Sequence, residues 1–145
     1  MSHRYISNVR VIGDHLDDLN HVNNVQYLFW AQEIAKTHWQ KINEIIKDEG
    51  VWMVRSHEIE YRLGGFLDDK INIETYVKNV RGPLSLRIVE FFNNKNKQLM
   101  VRCKTQWCFV SMASRKPIKV STRICLLYTS PSPRDATLSR MPSSA

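Results

Sequence analysis

The stretch from Asp17 to Glu33, DDLNHVNNVQYLFWAQE, constrains the fold more than any other. It crowds two aspartates, a histidine and three asparagines into eight positions, then passes directly into an apolar pattern of helical period. Side-chain oxygens just before a helix cap its first free N–H groups, and the positive end of the helix dipole favours negative charge. A cap needs only one such residue, so the surplus marks this junction as a candidate for anion chemistry. Behind it, Val25, Leu28, Phe29, Ala35, Trp39, Ile42, Ile45 and Ile46 follow the spacing of one helical face, which predicts a helix from Val22 to about Gly50. A rod of some 25 residues is about 37 Å long, and in a chain of this size something must wrap it.

The rest of the chain supplies the wrapping. Tyr5 to Val11 alternates as a first strand, and Val51 to Arg62 reads as a second. Lys70 to Val80 places Ile71, Ile73, Thr75 and Val77 on one face, and after the Arg81-Gly82-Pro83 turn a strand follows from Leu84 to Phe92. NNKNK then predicts a hairpin whose asparagines suit positive φ. Leu99 to Val110 alternates again, and Ile118 to Ile124 is the last ordered segment expected. The order is one strand, a long helix and four antiparallel strands on short turns, an α+β arrangement. It forms a single core only if the sheet of about five strands curls around the helix. Such a sheet leaves an edge strand exposed, which favours pairing with a second copy, so a homodimer is expected.

With 145 residues, 43% of them hydrophobic, the chain fits one domain. Its formal charge of +7 is spread without a basic stripe interleaved with aromatics, which argues against nucleic acid and leaves a phosphorylated small molecule as a partner. MSHRYISNVRV has no apolar signal region and no run approaches the roughly 18 residues of a membrane span, so a cytoplasmic location without membrane insertion is expected. Cys103 and Cys108, five apart on one strand, point to opposite faces about 16 Å apart and cannot pair. Neither has metal-ligand spacing, and no metal site is expected. Residues 125–145, CLLYTSPSPRDATLSRMPSSA, break the composition abruptly with prolines and serines. They resemble one reading frame of a transposase-type sequencing-library adaptor, so a domain of residues 1–124 with a truncated C-terminus, followed by a non-native, disordered tail, is the expectation.

Asp17, then His21-Val22-Asn23-Asn24, Tyr27 and Glu33 resemble the D-x-x-x-H-V-N-N-x-x-Y-x-x-x-x-x-E signature of hot-dog-fold acyl-CoA thioesterases of the 4-hydroxybenzoyl-CoA thioesterase type. The similarity continues through VWMVRSHEIEY, FLDDKINIETYV and KTQWCFV, and spans most of residues 1–124. The resemblance implies a hot-dog fold, a homodimer or tetramer with its active site at the subunit interface, and hydrolysis of an acyl-CoA thioester to free acid and coenzyme A. No cofactor is implied, because coenzyme A is part of the substrate. It further implies that Asp17 is general base or nucleophile and that a backbone N–H at the helix start, around Asn23 and Asn24, receives the oxyanion. Losing one such donor costs about 10² to 10³ in rate. His21 is a candidate to orient Asp17 or water; Tyr27 and Glu33 are supporting residues, Glu33 because some relatives use a helix glutamate. Arg81 and Arg87, flanking the Gly82-Pro83 turn, are candidates for the coenzyme A phosphates. Phe29, Trp30 and Ile34 are core or line an acyl tunnel. Two departures stand out: Asn20 replaces a glycine common before the histidine, and His15 replaces an acidic residue. The alternatives are a hydratase or dehydratase on the same fold, or a non-catalytic acyl-CoA-binding module; the spacing of Asp17 from HVNN favours the thioesterase.

Overall fold

The structure, a computed structural model, describes residues 3–129. Strand β1 covers Tyr5–Arg10, and a 3₁₀ turn at Gly13–His15 leads to helix α1, Asn24–Ile46. Strands β2 (Val51–Tyr61), β3 (Lys70–Arg81), β4 (Leu84–Asn93) and β5 (Leu99–Val110) follow, then helix α2, Thr122–Thr129. The strands form one sheet in the order β1-β3-β4-β5-β2, antiparallel throughout, with β1 and β2 as its edges. The curled α+β layer expected of a hot-dog fold is therefore present, with α1 packed on one face of an open five-stranded sheet.

Helix α1 is 23 residues long and stops before Gly50, because Lys47 adopts left-handed φ 57° and the Asn43 side chain takes over the Asp48 backbone. Its buried stripe differs from the predicted one. Tyr27, Trp30, Ala31, Ile34, Ala35, His38 and Ile42 face inward, whereas Val25, Phe29 and Ile45 are exposed. Sequence spacing placed the stripe by hydrophobicity, and the structure shifts it to take in Tyr27 and His38, whose polar atoms made them look external.

Strand β3 buries Ile71, Ile73, Thr75 and Val77 as its alternation requires. The β4–β5 hairpin corrects the role of its asparagines: positive φ falls on Lys97, at 64°, while Asn93 and Asn96 use side-chain oxygens to hold the N–H groups of Lys95 and Gln98. The last segment is also different from expectation. Helix α2 begins within it and continues to Thr129, so residues 125–129 of the expected disordered tail are helical and Tyr128 is buried. The remainder of that tail, 130–145, lies outside the described residues.

Two apolar clusters sit beneath α1. One gathers Val22, Tyr27, Trp30 and Ile34 over Ile71, Phe91 and Val101; the other gathers Ile42 with Val77, Phe109 and Ile124. A polar layer lies between them. His38 and Arg87, both fully or nearly buried, meet at 2.9 Å between Nδ1 and Nη1, and Arg87 also donates to Thr75 Oγ1 at 3.0 Å. In register with Arg87, Thr105 on β5 bonds His57 on β2 at 2.8 Å. Sheet pairing thus aligns one polar row across the strands while α1 supplies His38 above it.

Candidate active site

The chain between β1 and α1 folds back on itself as a compact loop. Asp17 builds it: Oδ1 accepts the N–H of Leu19 at 2.9 Å and of His21 at 3.2 Å, and its own N–H donates to the His21 carbonyl at 2.8 Å. Asn20 takes φ 63°, so the residue that replaces a glycine keeps the left-handed turn, as asparagine does more readily than most. Three further bonds tie the loop down. Val22 N–H donates to Gly65 O at 2.8 Å, Asn23 N–H to His15 O at 2.9 Å, and His15 Nδ1 accepts from Ile12 N–H at 3.0 Å. His15, in the place of an acidic residue, is thus a structural clasp whose ring also meets Trp30 edge-on.

Asn23 is the N-cap of α1, its Oδ1 accepting Val25 N–H at 3.0 Å, and its carbonyl accepts Gln26 N–H at 2.9 Å. Among the described residues no group accepts from the backbone N–H of Asn24, the first residue of the helix. The helix dipole and this free donor lie seven positions from Asp17, at the other end of the clasped loop. Tyr61, from the far end of β2, donates its hydroxyl to the Asn24 carbonyl at 3.2 Å. Asp17 and Asn24 are therefore fixed by one constrained loop.

The other candidates divide. His21 reaches Asp17 through its backbone, while its ring stands edge-on to Phe66 at 4.9 Å. Tyr27 is buried with no partner for its hydroxyl, and burial, reinforced by the charge of Asp69 and by Tyr61, raises its pKa to about 12. Glu33 is exposed on the third turn of α1. Arg81 is exposed at the β3–β4 turn, beside Gly82 at φ 59°. Arg87 is not: it is 4% exposed and bonds His38, Thr75 and Tyr128 in the polar layer, so the expectation that it stands at the surface beside the turn is corrected. An alternating strand turns every second residue inward, and position 87 points under the helix.

A cavity of about 660 Å³ opens between the middle of α1, the end of α2 and strands β2, β4 and β5. Trp39, Trp52 and Trp107 form its aromatic wall, Ser85 and Arg87 its polar floor, and Glu33 lies at its helix side. Neither Asp17 nor Asn24 lines it. Trp30 and Ile34 belong instead to the first core cluster, and Phe29 is exposed, so of the suggested tunnel residues none lies in this cavity. Sequence reading missed His38, Trp52 and Trp107. His38 could have been found, since it continues the Ala31-Ile34-Ala35 face one turn on; the tryptophans are joined only by the pairing of β2 with β5. The free thiols Cys103 and Cys108 are both buried, and no group of three or more His, Cys, Asp or Glu among the described residues could hold a metal.

Solved structures share this architecture. A 1,4-dihydroxy-2-naphthoyl-CoA thioesterase from Synechocystis superposes with a TM-score of 0.74 at 13% identity, covering 86% of this chain and 95% of its own. A DHNA-CoA thioesterase from Staphylococcus aureus gives 0.69 at 18%, covering 81% and 80%. An Asp-to-Asn variant of 4-hydroxybenzoyl-CoA thioesterase, in complex with 4-hydroxybenzoyl-CoA, gives 0.77 at 15%, covering 87% and 99%. No curated protein sequence matches the chain significantly. The fold class is therefore the hot dog, with the clasped Asp17 loop at the head of its central helix. The model of the thioesterase-like superfamily matches residues 11–126, and the chain belongs to that family. Its reaction class is thioester hydrolysis.

Proposed function

We propose that the protein hydrolyses acyl-CoA thioesters, with Asp17 acting on the thioester carbonyl directly or through water and the Asn24 backbone N–H receiving the oxyanion. The observation that carries this reading is the clasped loop, which holds a carboxylate and an uncapped helix-terminal donor in one rigid unit. A thioester needs both: a positioned base or nucleophile, and a donor where negative charge develops. His21 contributes its N–H to Asp17 rather than its ring, Asn23 orients the first helical turn, and Tyr27 packs behind it.

Pairing with a second copy completes the site. β2 is an 11-residue edge strand that exposes Val51, Met53, Val54 and Tyr61. Its start lines the cavity and its end, at Tyr61, touches Asn24. Antiparallel pairing of two β2 strands sets the start of one beside the end of the other, so the cavity of one subunit faces the helix head of its partner. The exposed Val25 and Phe29 on α1 supply apolar surface for the same contact. The likeness to CoA thioesterases of similar length supports the substrate class, and Arg81 remains the exposed candidate for a coenzyme A phosphate. The reaction belongs in the cytoplasm, where three free cysteines are compatible with the reducing conditions. No described helix is long and apolar enough to cross a membrane.

Release of free thiol from a panel of short, long and aryl acyl-CoAs tests the reading. Asp17→Asn is expected to lower kcat by about 10² to 10⁴ while substrate still binds. Equal turnover by the variant would remove Asp17 from the chemistry.

A further inference from the structure

The cavity beneath α1 is unusual in what it lacks. Arg87 is a permanent cation, 4% exposed, and its partners are all neutral: His38 Nδ1 at 2.9 Å, Thr75 Oγ1 at 3.0 Å and the Tyr128 hydroxyl at 3.1 Å. His38 cannot serve as a counter-ion. Arginine has only donors, so the Nδ1 that faces it is a lone pair, and the His38 proton sits on Nε2, which meets His3 Nδ1 at 2.8 Å. No carboxylate among the described residues pairs with Arg87. Nη1 directs both its hydrogens to His38 and Thr75, and Nη2 gives one to Tyr128. That leaves Nε–H and one Nη2 hydrogen without a partner among the described residues.

Two further buried donors sit in the walls of the cavity without opening into it. The indole N–H groups of Trp52 and Trp107 are buried without a partner, and both side chains line it. Buried charges are nearly always compensated, so an Arg87 guanidinium that lines this space without a carboxylate describes the ligand that the space takes. Glu33 and Lys36, a turn apart at the helix side, offset each other's charge and leave Arg87 as the net charge of the cavity.

We propose that this cavity is the acyl pocket and that it selects an acyl group ending in a carboxylate, which pairs with the Arg87 guanidinium. The substrate class is then the coenzyme A monothioester of a dicarboxylic acid, with an aromatic or short aliphatic stem between its two carbonyl carbons. The aromatic wall of Trp39, Trp52 and Trp107 covers that stem. A coenzyme A phosphate does not suit this position: a dianion on a bulky, hydrated chain would have to lie beneath the aromatic wall, whereas a single carboxylate on an apolar stem does not. The inference rests on the thioesterase reading and adds the identity of the acyl end.

The test uses matched substrates that differ only at the far end: adipoyl-CoA against hexanoyl-CoA, and 4-carboxybenzoyl-CoA against 4-methylbenzoyl-CoA. The readout is the ratio of kcat/KM within each pair, which a loss of folded protein does not alter. The full chain is expected to favour the carboxylate member by at least about 10-fold, Arg87→Met to bring the ratio to one or below, and Arg87→Lys to fall between. A ratio of one or less in the unaltered chain overturns the proposal, as does an unchanged ratio in Arg87→Met. If none of the four releases thiol, the hydrolase reading fails by itself, and quenching of tryptophan fluorescence by the same four compounds decides the pocket. Tighter binding of the carboxylate members that disappears in Arg87→Met supports it; equal binding overturns it.

Discussion

Gly65 shows how one backbone position holds the site together. Its carbonyl accepts Val22 N–H, and a Cβ there would stand 2.7 Å from the Tyr27 hydroxyl and 2.8 Å from Val22 Cγ2. Gly65→Ala must push either the helix or the loop away, and we expect it to cost about 1 to 3 kcal/mol in urea unfolding and to lower turnover. His38 makes a second prediction. Burial, then the charge of Arg87, then His3, lower its pKa to about 2, so it stays neutral in the folded protein while an unfolded histidine protonates below about 6.5. The unfolded state then binds the extra proton, so stability falls as pH drops from about 6.5 toward 2, by about 2 kcal/mol between pH 6.5 and 5 from this group. His57, lowered by burial, acts in the same direction. Urea midpoints across that range should show the slope, and His38→Gln should flatten it. Neither residue announces its role in sequence: glycine in a loop and a histidine in a helix are unremarkable until Tyr27 and Arg87 are brought against them.

The head of α1 was the most legible element. The Asp, His and Asn cluster marks a helix start, expected at Val22; the structure makes Asn23 the cap and Asn24 the first helical residue. Removing the cap in Asn23→Ala is expected to cost about 1 kcal/mol and to lower kcat more than it raises KM, because it loosens the turn that carries the Asn24 donor; Asn23→Asp should keep both. Thermal melts beside steady-state kinetics separate the two effects. The face of α1 was less legible. Hydrophobic spacing assigns a stripe, but rotation about the helix axis is settled by what the sheet offers, and the buried Arg87, held by Thr75, draws His38 inward while Val25 and Phe29 turn out. Strand β3 is legible because strict alternation leaves only one way to face a core, whereas the ends of β5 break the alternation, with Met100 buried beside Val101 and Cys108 beside Phe109. In the β4–β5 hairpin, by contrast, asparagine was given the wrong one of its two talents: it bonds the turn with its side chain and lets Lys97 take the positive φ.

The proposed pairing of two copies runs along β2, an edge strand whose start lines the cavity and whose end touches Asn24. Met53, 58% exposed on that edge, is the place to test this. Met53→Asp is expected to shift the protein toward monomer in sedimentation velocity and to abolish most turnover, with its far-ultraviolet dichroism unchanged. By itself the sequence determined the order of the long helix and the five strands and the α+β class, and it singled out Asp17 as a candidate, because period, capping chemistry and a contiguous motif are local properties of the chain. Only the tertiary structure decided that Arg87 lies buried against His38, that Trp52 and Trp107 share a cavity, and that α2 runs through Ile124 to Tyr128. Those facts depend on strand register and helix rotation, which are set by the packing of residues 41 or more positions apart and leave no mark on neighbouring letters.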